Sequence, residues 1–188
     1  VMLPSVHPAS PEAAGQVRHV AGAGLRGIKL HPYYQGFEID EPRLFPVYEA
    51  AQELGLVVVC HGGFDIAYPH TRVADPVRTR RVIDAFPALK LVVAHLGGWE
   101  DWDEVERHLL GRPVWLDTSY SLAYLQADRA RRLLETHPAD RILFGSDSPW
   151  ADQAGEIARL RALGLPEALE RRILGGNARE LLGGSTKH

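Results

Sequence analysis

The chain has a single cysteine, Cys60, so no internal disulfide can form, and a reducing compartment, the cytoplasm, is the expectation. No apolar run is long enough to cross a bilayer, and no basic stretch leading into an apolar one opens the sequence, so neither a membrane segment nor a leader is expected. Positive charge is neither in excess nor gathered. With a net charge of −3 and with lysines and arginines spread along amphipathic stretches, a nucleic-acid binder is not expected. Linkers, low-complexity segments and sequence repeats are also missing, and no glycine-rich phosphate turn follows an early strand. What remains is 188 residues of which 45% are apolar, enough to bury one core, so a single domain over 1–188 is expected.

What is there alternates. Short apolar runs with little polar interruption, as in parallel strands covered on both faces, are separated by amphipathic helical stretches. The runs are Val1 to Val6, Gly27 to Pro32, Leu56 to Cys60, Leu89 to Ala94, Val114 to Asp117 and Arg141 to Gly145. Between them, helix starts are marked at Ser10-Pro11-Glu12, at Asp40 with Pro42, at Asp75-Pro76 and near Trp99, and a last helix is expected near Asn177 to Leu182. A period of roughly 25 to 35 residues fits repeated β-α units. Right-handed crossovers put the C-terminal ends of all strands on one side, where a (β/α) barrel keeps its active site. The expected fold is therefore α/β, a TIM-type barrel with about six of the eight strands of a full ring.

Polar residues collect at that rim. Lys29, His31, His61, His95, Asp117 and Asp147 all stand at or just beyond a strand's end. His61, His95 and Asp147 come from three different units, and imidazole with carboxylate is a ligand set for zinc and similar divalent ions. Asp147, between Gly145 and Pro149, is placed to bind a metal, to take a proton from water, or both; His95, if not a ligand, is placed as a general acid or base. Lys29 is placed to meet a substrate carboxylate, to carry a carboxylated nitrogen, or to pair with an acidic neighbour, and His31 to contact substrate or to sit in a turn set by Pro32. Trp99, Trp150, Tyr33 and Tyr34 either wall a pocket or pack helices on the barrel. Asp117 and Ser119 either hold a histidine or cap a loop; Cys60 is expected in the packing. His7, His70, His108 and His137 have no partner legible in the sequence, and Lys187 with His188 reads as a tail.

Taken in order, Gly27-Ile-Lys-Leu-His-Pro32, Cys60-His-Gly-Gly63, Ala94-His-Leu-Gly-Gly-Trp99, Phe144-Gly-Ser-Asp-Ser-Pro149 and Ile173-Leu-Gly-Gly-Asn-Ala-Arg179 resemble the amidohydrolase superfamily, in its branch of metal-dependent TIM-barrel hydrolases and non-oxidative decarboxylases. The resemblance runs from the third barrel strand to the C-terminus. It implies that His61 is the metal-ligand histidine of the fifth barrel strand, and His95 the sixth-strand histidine, a ligand in two-metal members and an acid or base in one-metal members. It implies that Asp147 is the eighth-strand aspartate. The family's first strand carries a His-x-His pair, and no His-x-His occurs here, so the barrel is expected to be incomplete at its N-terminus. The open strand edges then need cover, for which a second copy of the chain is one solution.

These observations imply a metal-dependent hydrolase with a divalent cofactor, zinc. His61, His95 and Asp147 hold the metal; Asp147 and His95 carry the proton chemistry; Lys29 and His31 meet a small-molecule substrate. Metal-activated water attacks a C–N or C–O bond. The alternatives are a metal-dependent non-oxidative decarboxylase on the same site, and a catalytically silent truncated barrel.

Overall fold

The computed structural model describes residues 1–183, so the tail reading of Lys187 and His188 lies outside the described residues. The apolar runs form a parallel sheet of five strands, β1 (Gly27–Leu30), β2 (Val57–Cys60), β3 (Lys90–Val93), β4 (Trp115–Asp117) and β5 (Ile142–Leu143), lying side by side in chain order. Order without reversal is what a barrel sheet shows, whereas a doubly wound sheet reverses at a switch point. Helix α1 (Ala13–Gly22) precedes β1, and the strands are connected by the single turn α2 (Pro32–Gln35), α3 (Phe45–Glu53), α4 (Pro76–Ala85), α5 (Trp102–His108) and α6 (Ala127–Thr136). After β5 come α7 (Gln153–Ala162), α8 (Glu167–Arg171) and α9 (Asn177–Leu181). Among the described residues no helix is long and apolar enough to cross a membrane.

Register shows why the strand sequences are so uniformly apolar. Ile28, Leu30, Val58, Cys60, Leu91, Val93, Leu116 and Ile142 face the layer of outer helices and join the main core, where the Cys60 thiol is pushed up to about 12 by burial. The opposite face carries Val57, Val92 and Leu143, and Ala178, Leu181 and Leu182 of the C-terminal segment pack against it with Val59 and Trp115. A sheet buried on both sides has no use for alternation. Asn177 ties this last helix in place, donating to the carbonyls of Ala139 (2.8 Å) and Ile142 (2.7 Å).

Four local expectations are corrected. Val1 to Val6 is not a sixth strand: it makes one bridge, Ser5 beside Lys29, with the Lys29 amide donating to the Pro4 carbonyl at 2.9 Å. Pro4 has no N–H to extend the ladder, and Val1 and Met2 stand in solvent. The helix after Ser10 starts at Ala13, because the Ser10 hydroxyl accepts from the Glu12 amide in a turn before it. Trp99 lies outside α5, since its backbone is paired across to Gly62 and Phe64. Strand β5 is two residues long: the Phe144 amide turns to the Ile173 carbonyl and the Gly145 amide to the Thr118 hydroxyl.

His137 gains a partner no sequence pattern showed. It is 3% exposed, and its Nε2–H donates to the Val114 carbonyl at 2.9 Å. Burial lowers its pKa below the ordinary 6.5. The unfolded chain therefore takes up the proton first, so the stability supplied by the neutral ring is complete above about pH 6.5 and is lost as pH falls. The loss runs at up to about 1.4 kcal/mol per pH unit for one proton. His137→Gln is expected to flatten the decline of unfolding free energy between about pH 7 and pH 5, measured by denaturant titration; an unchanged slope contradicts this assignment.

Candidate metal centre

The C-terminal edge of the sheet delivers the side chains. His31 follows β1, His61 follows β2, His95 comes two residues after β3, Asp117 ends β4, and Asp147 lies in the loop beyond β5. Lys29, inside β1, faces the same side as Val59. Lys29, His31, His61, His95 and Asp147 line one cavity of about 320 Å³ together with Asp65 and the aromatic residues Tyr34, Trp99, Tyr120 and Trp150. Of the six rim residues named from the sequence, these five share the cavity and Asp117 does not line it; the ligand atoms of the expected metal set His61, His95 and Asp147 do not all lie within 4.8 Å of one another. Tyr33 does not line the cavity; its hydroxyl is used on the carbonyls of Gly63 (3.1 Å) and Thr71 (2.6 Å).

Two backbone devices set the histidines. His95 adopts a left-handed conformation (φ 59°), rare for a residue with a Cβ, and it is held there from three directions. Its amide donates to Asp117 Oδ1 at 3.3 Å and to Ser119 Oγ at 3.4 Å, and its carbonyl accepts from the Trp102 indole at 3.0 Å. Asp117 and Ser119 therefore do hold a histidine, through its main chain. Asp147 is likewise left-handed (φ 63°), which turns the chain sharply out of the short strand. The loop after β2 is laced to Trp99: the Trp99 amide donates to the Gly62 carbonyl, and the Phe64 amide to the Trp99 carbonyl, each at 2.9 Å.

That lacing puts the Phe64 carbonyl against His61 and creates a chain of three close polar contacts. The Phe64 carbonyl lies 2.9 Å from His61 Nε2, His61 Nδ1 lies 3.1 Å from His95 Nε2, and His95 Nδ1 lies 3.0 Å from the Ser119 carbonyl. Both ends are carbonyl oxygens, which only accept. Two neutral imidazoles bring two hydrogens to three contacts, so one contact is left with lone pairs facing. The Ser119 hydroxyl does not supply a third, because it donates to Asp117 Oδ1. With each ring's N–H committed to its carbonyl, the contact without hydrogen is His61 Nδ1 to His95 Nε2. Burial, with His95 and His31 adding to it, pushes His61 down to about 2, so the ring is neutral.

Asp65, not singled out in the sequence, is the other finding. Its buried carboxylate stands 3.5 Å from His31 Nε2 and 3.9 Å from His61 Nε2, and His31, His61 and Asp65 each offer a ligand atom within 4.8 Å of the others. The hydrogens argue against three lone pairs converging there. His31 Nδ1 accepts the Tyr34 amide at 3.4 Å, so its hydrogen is on Nε2; His61 Nε2 donates to Phe64. The trio is two N–H donors around one carboxylate. Burial, reinforced by Lys29, pushes His31 down to about 4, so it too is neutral. The only sequence signal for Asp65 is its place four residues after His61, a spacing shared by many unrelated pairs.

The fold has counterparts. The amidohydrolase family profile matches residues 2–184, and the chain belongs to that family. A dihydroorotase of Shewanella sediminis is 31% identical over an alignment of 85 residues that covers 39% of this chain and 24% of its own length. The 5-carboxyvanillate decarboxylase of Sphingomonas paucimobilis superposes with a TM-score of 0.73 at 19% identity, covering 96% of this chain and 66% of that one. A dihydroxybenzoic acid decarboxylase of Polaromonas sp. JS666, with bound manganese and the inhibitor 2-nitroresorcinol, superposes with a TM-score of 0.67 at 18% identity, covering 91% of this chain and 65% of that one. The chain thus spans about two thirds of the length of these structures, and the likeness to them is one of fold.

Gly63 is the hinge of the lacing. It has φ +81°, and a Cβ there would meet the Trp99 amide nitrogen at 2.1 Å, a backbone atom that cannot swing aside. Gly63→Ala is expected to cost about 2 kcal/mol or more and to lower the thermal midpoint accordingly; an unaltered midpoint contradicts the close approach.

Proposed function

We propose that this chain carries the active site of a metal-dependent hydrolase that attacks a C–N or C–O bond of a small, carboxylate-bearing substrate. The observation that carries the reading is the 3.1 Å approach of His61 Nδ1 to His95 Nε2, which is left without a hydrogen when both rings are neutral and each gives its N–H to its flanking carbonyl. Facing lone pairs at 3.1 Å repel unless a cation stands with them, and a third proton would charge a ring in a buried site that already holds Lys29. Two imidazole nitrogens with a carboxylate suit zinc, and Asp147, on the same cavity, supplies the carboxylate. When bound, such an ion supplies Lewis acidity, activating water for hydrolysis.

The chain's own residues do the rest. Asp147 takes and returns the proton at the reacting centre, and His95 would hold the ion through Nε2 while its Nδ1–H stays on the Ser119 carbonyl. Lys29 makes no ion pair with a described residue, so its ammonium is available to a substrate carboxylate, and the His31 ring lines the same cavity beside it, as a surface for substrate. Tyr34, Trp99, Tyr120 and Trp150 give the cavity aromatic walls and limit the water around the reaction. These walls also favour a second reading, decarboxylation of a planar acid at the same site, with carbon dioxide released and no water consumed. In our reading the protein works in the cytoplasm.

Purified without chelator and supplied with zinc, the chain is expected to bind about one ion per chain, and His61→Ala or His95→Ala to weaken binding by roughly 100-fold or more, read by elemental analysis and calorimetry. A chain that takes up well under one ion, with neither substitution mattering, contradicts the reading and favours a silent barrel.

A further inference from the structure

Asp65 is the buried charge that the reading above leaves unused. It is 6% exposed, Oδ1 accepts the Ala67 amide at 2.8 Å, and no lysine or arginine among the described residues pairs with it. A carboxylate withdrawn from water needs compensation, and here two imidazole edges, His31 Nε2 at 3.5 Å and His61 Nε2 at 3.9 Å, stand near it rather than a cationic side chain. His31 has its Nδ1 occupied by the Tyr34 amide, so its Nε2–H faces Asp65; His61 gives its Nε2–H to the Phe64 carbonyl at 2.9 Å, with Asp65 Oδ2 behind that hydrogen bond at 3.9 Å. His61 therefore stands between a carboxylate on its Nε2 side and the hydrogen-free contact on its Nδ1 side.

We propose that Asp65 is a positioning residue for the cation site: its negative charge, 3.9 Å from His61 Nε2, favours the Nε2–H tautomer that the Phe64 carbonyl accepts and strengthens Nδ1 as the donor to the ion. A negative charge beyond the N–H of a ligand imidazole polarises the ring toward the metal, and removing such an outer partner typically weakens metal affinity about 10- to 100-fold. The Nε2–H of His31 faces the same carboxylate, so His31 neutralises Asp65 rather than binding the ion.

This inference rests on the proposed metal site, and the test separates the two. Zinc affinity is measured by calorimetry, and the cobalt-substituted chain by its visible spectrum, for the parent chain, Asp65→Asn and His31→Ala. The expected result is a 10- to 100-fold loss of affinity with a shifted cobalt spectrum in Asp65→Asn, and affinity within about 3-fold of the parent in His31→Ala. An Asp65→Asn chain with the parent's affinity and spectrum overturns the inference and leaves the metal site standing. Loss of binding in both variants also overturns it, making Asp65 and His31 ligands themselves. A parent chain that binds neither zinc nor cobalt removes the metal site and the inference together. The thermal midpoint of Asp65→Asn, expected to stay within a few degrees of the parent's, separates an effect on the site from general loosening.

Discussion

Three contacts and two hydrogens are the constraint on which this site turns. Phe64 carbonyl, His61, His95 and Ser119 carbonyl form a line in which every neighbour is within hydrogen-bonding distance, yet two neutral rings cannot fill all three gaps. In water such a deficit would vanish by a rotation or a borrowed solvent hydrogen. Here His61 and His95 are both buried, the Phe64 peptide is held by the Trp99 carbonyl and the Ser119 carbonyl accepts the Ser121 hydroxyl, so neither flanking oxygen is free to turn away and the deficit stands while both rings are neutral.

The fold places it there. Each histidine stands at or just past the end of a strand that is buried on both faces, so the strands behave as rigid posts and the loops as adjustable caps. The caps are tied to one another. Gly62, Gly63 and Phe64 lie against Trp99; the His95 amide is held by Asp117 and Ser119 from the next strand; and Gly145 has no side chain because Ser119 Cβ and Asp117 stand 3.0 to 3.2 Å from where one would begin. Left-handed backbone at His95 and Asp147 carries strain on the order of 1 kcal/mol each, and it falls on two of the residues that the chemistry asks to point into the cavity.

Much of this was legible before any coordinates. Long uninterrupted apolar runs such as Leu56 to Cys60 and Leu89 to Ala94 can only be buried strands, and a histidine or aspartate directly after such a run stands at the rim. Boundaries were less legible where tertiary pairing overrides local pattern. Val1 to Val6 looks like a strand but has Pro4 in the ladder position, and Phe144 and Gly145 look like strand but give their amides to Ile173 and Thr118. The Asp65 and His137 environments were not legible at all, because each depends on a group distant in sequence or on a main-chain carbonyl, and a carbonyl leaves no mark in a sequence.

The central claim is tested most directly by the ring nitrogens themselves. Long-range proton–nitrogen correlation spectra of the chain labelled with nitrogen-15 in histidine report which nitrogens carry hydrogen. The account predicts bare nitrogens at His61 Nδ1 and His95 Nε2, hydrogens at His61 Nε2 and His95 Nδ1, and a shift of the two bare nitrogens alone on adding zinc. A hydrogen between His61 and His95 that zinc does not displace would contradict it.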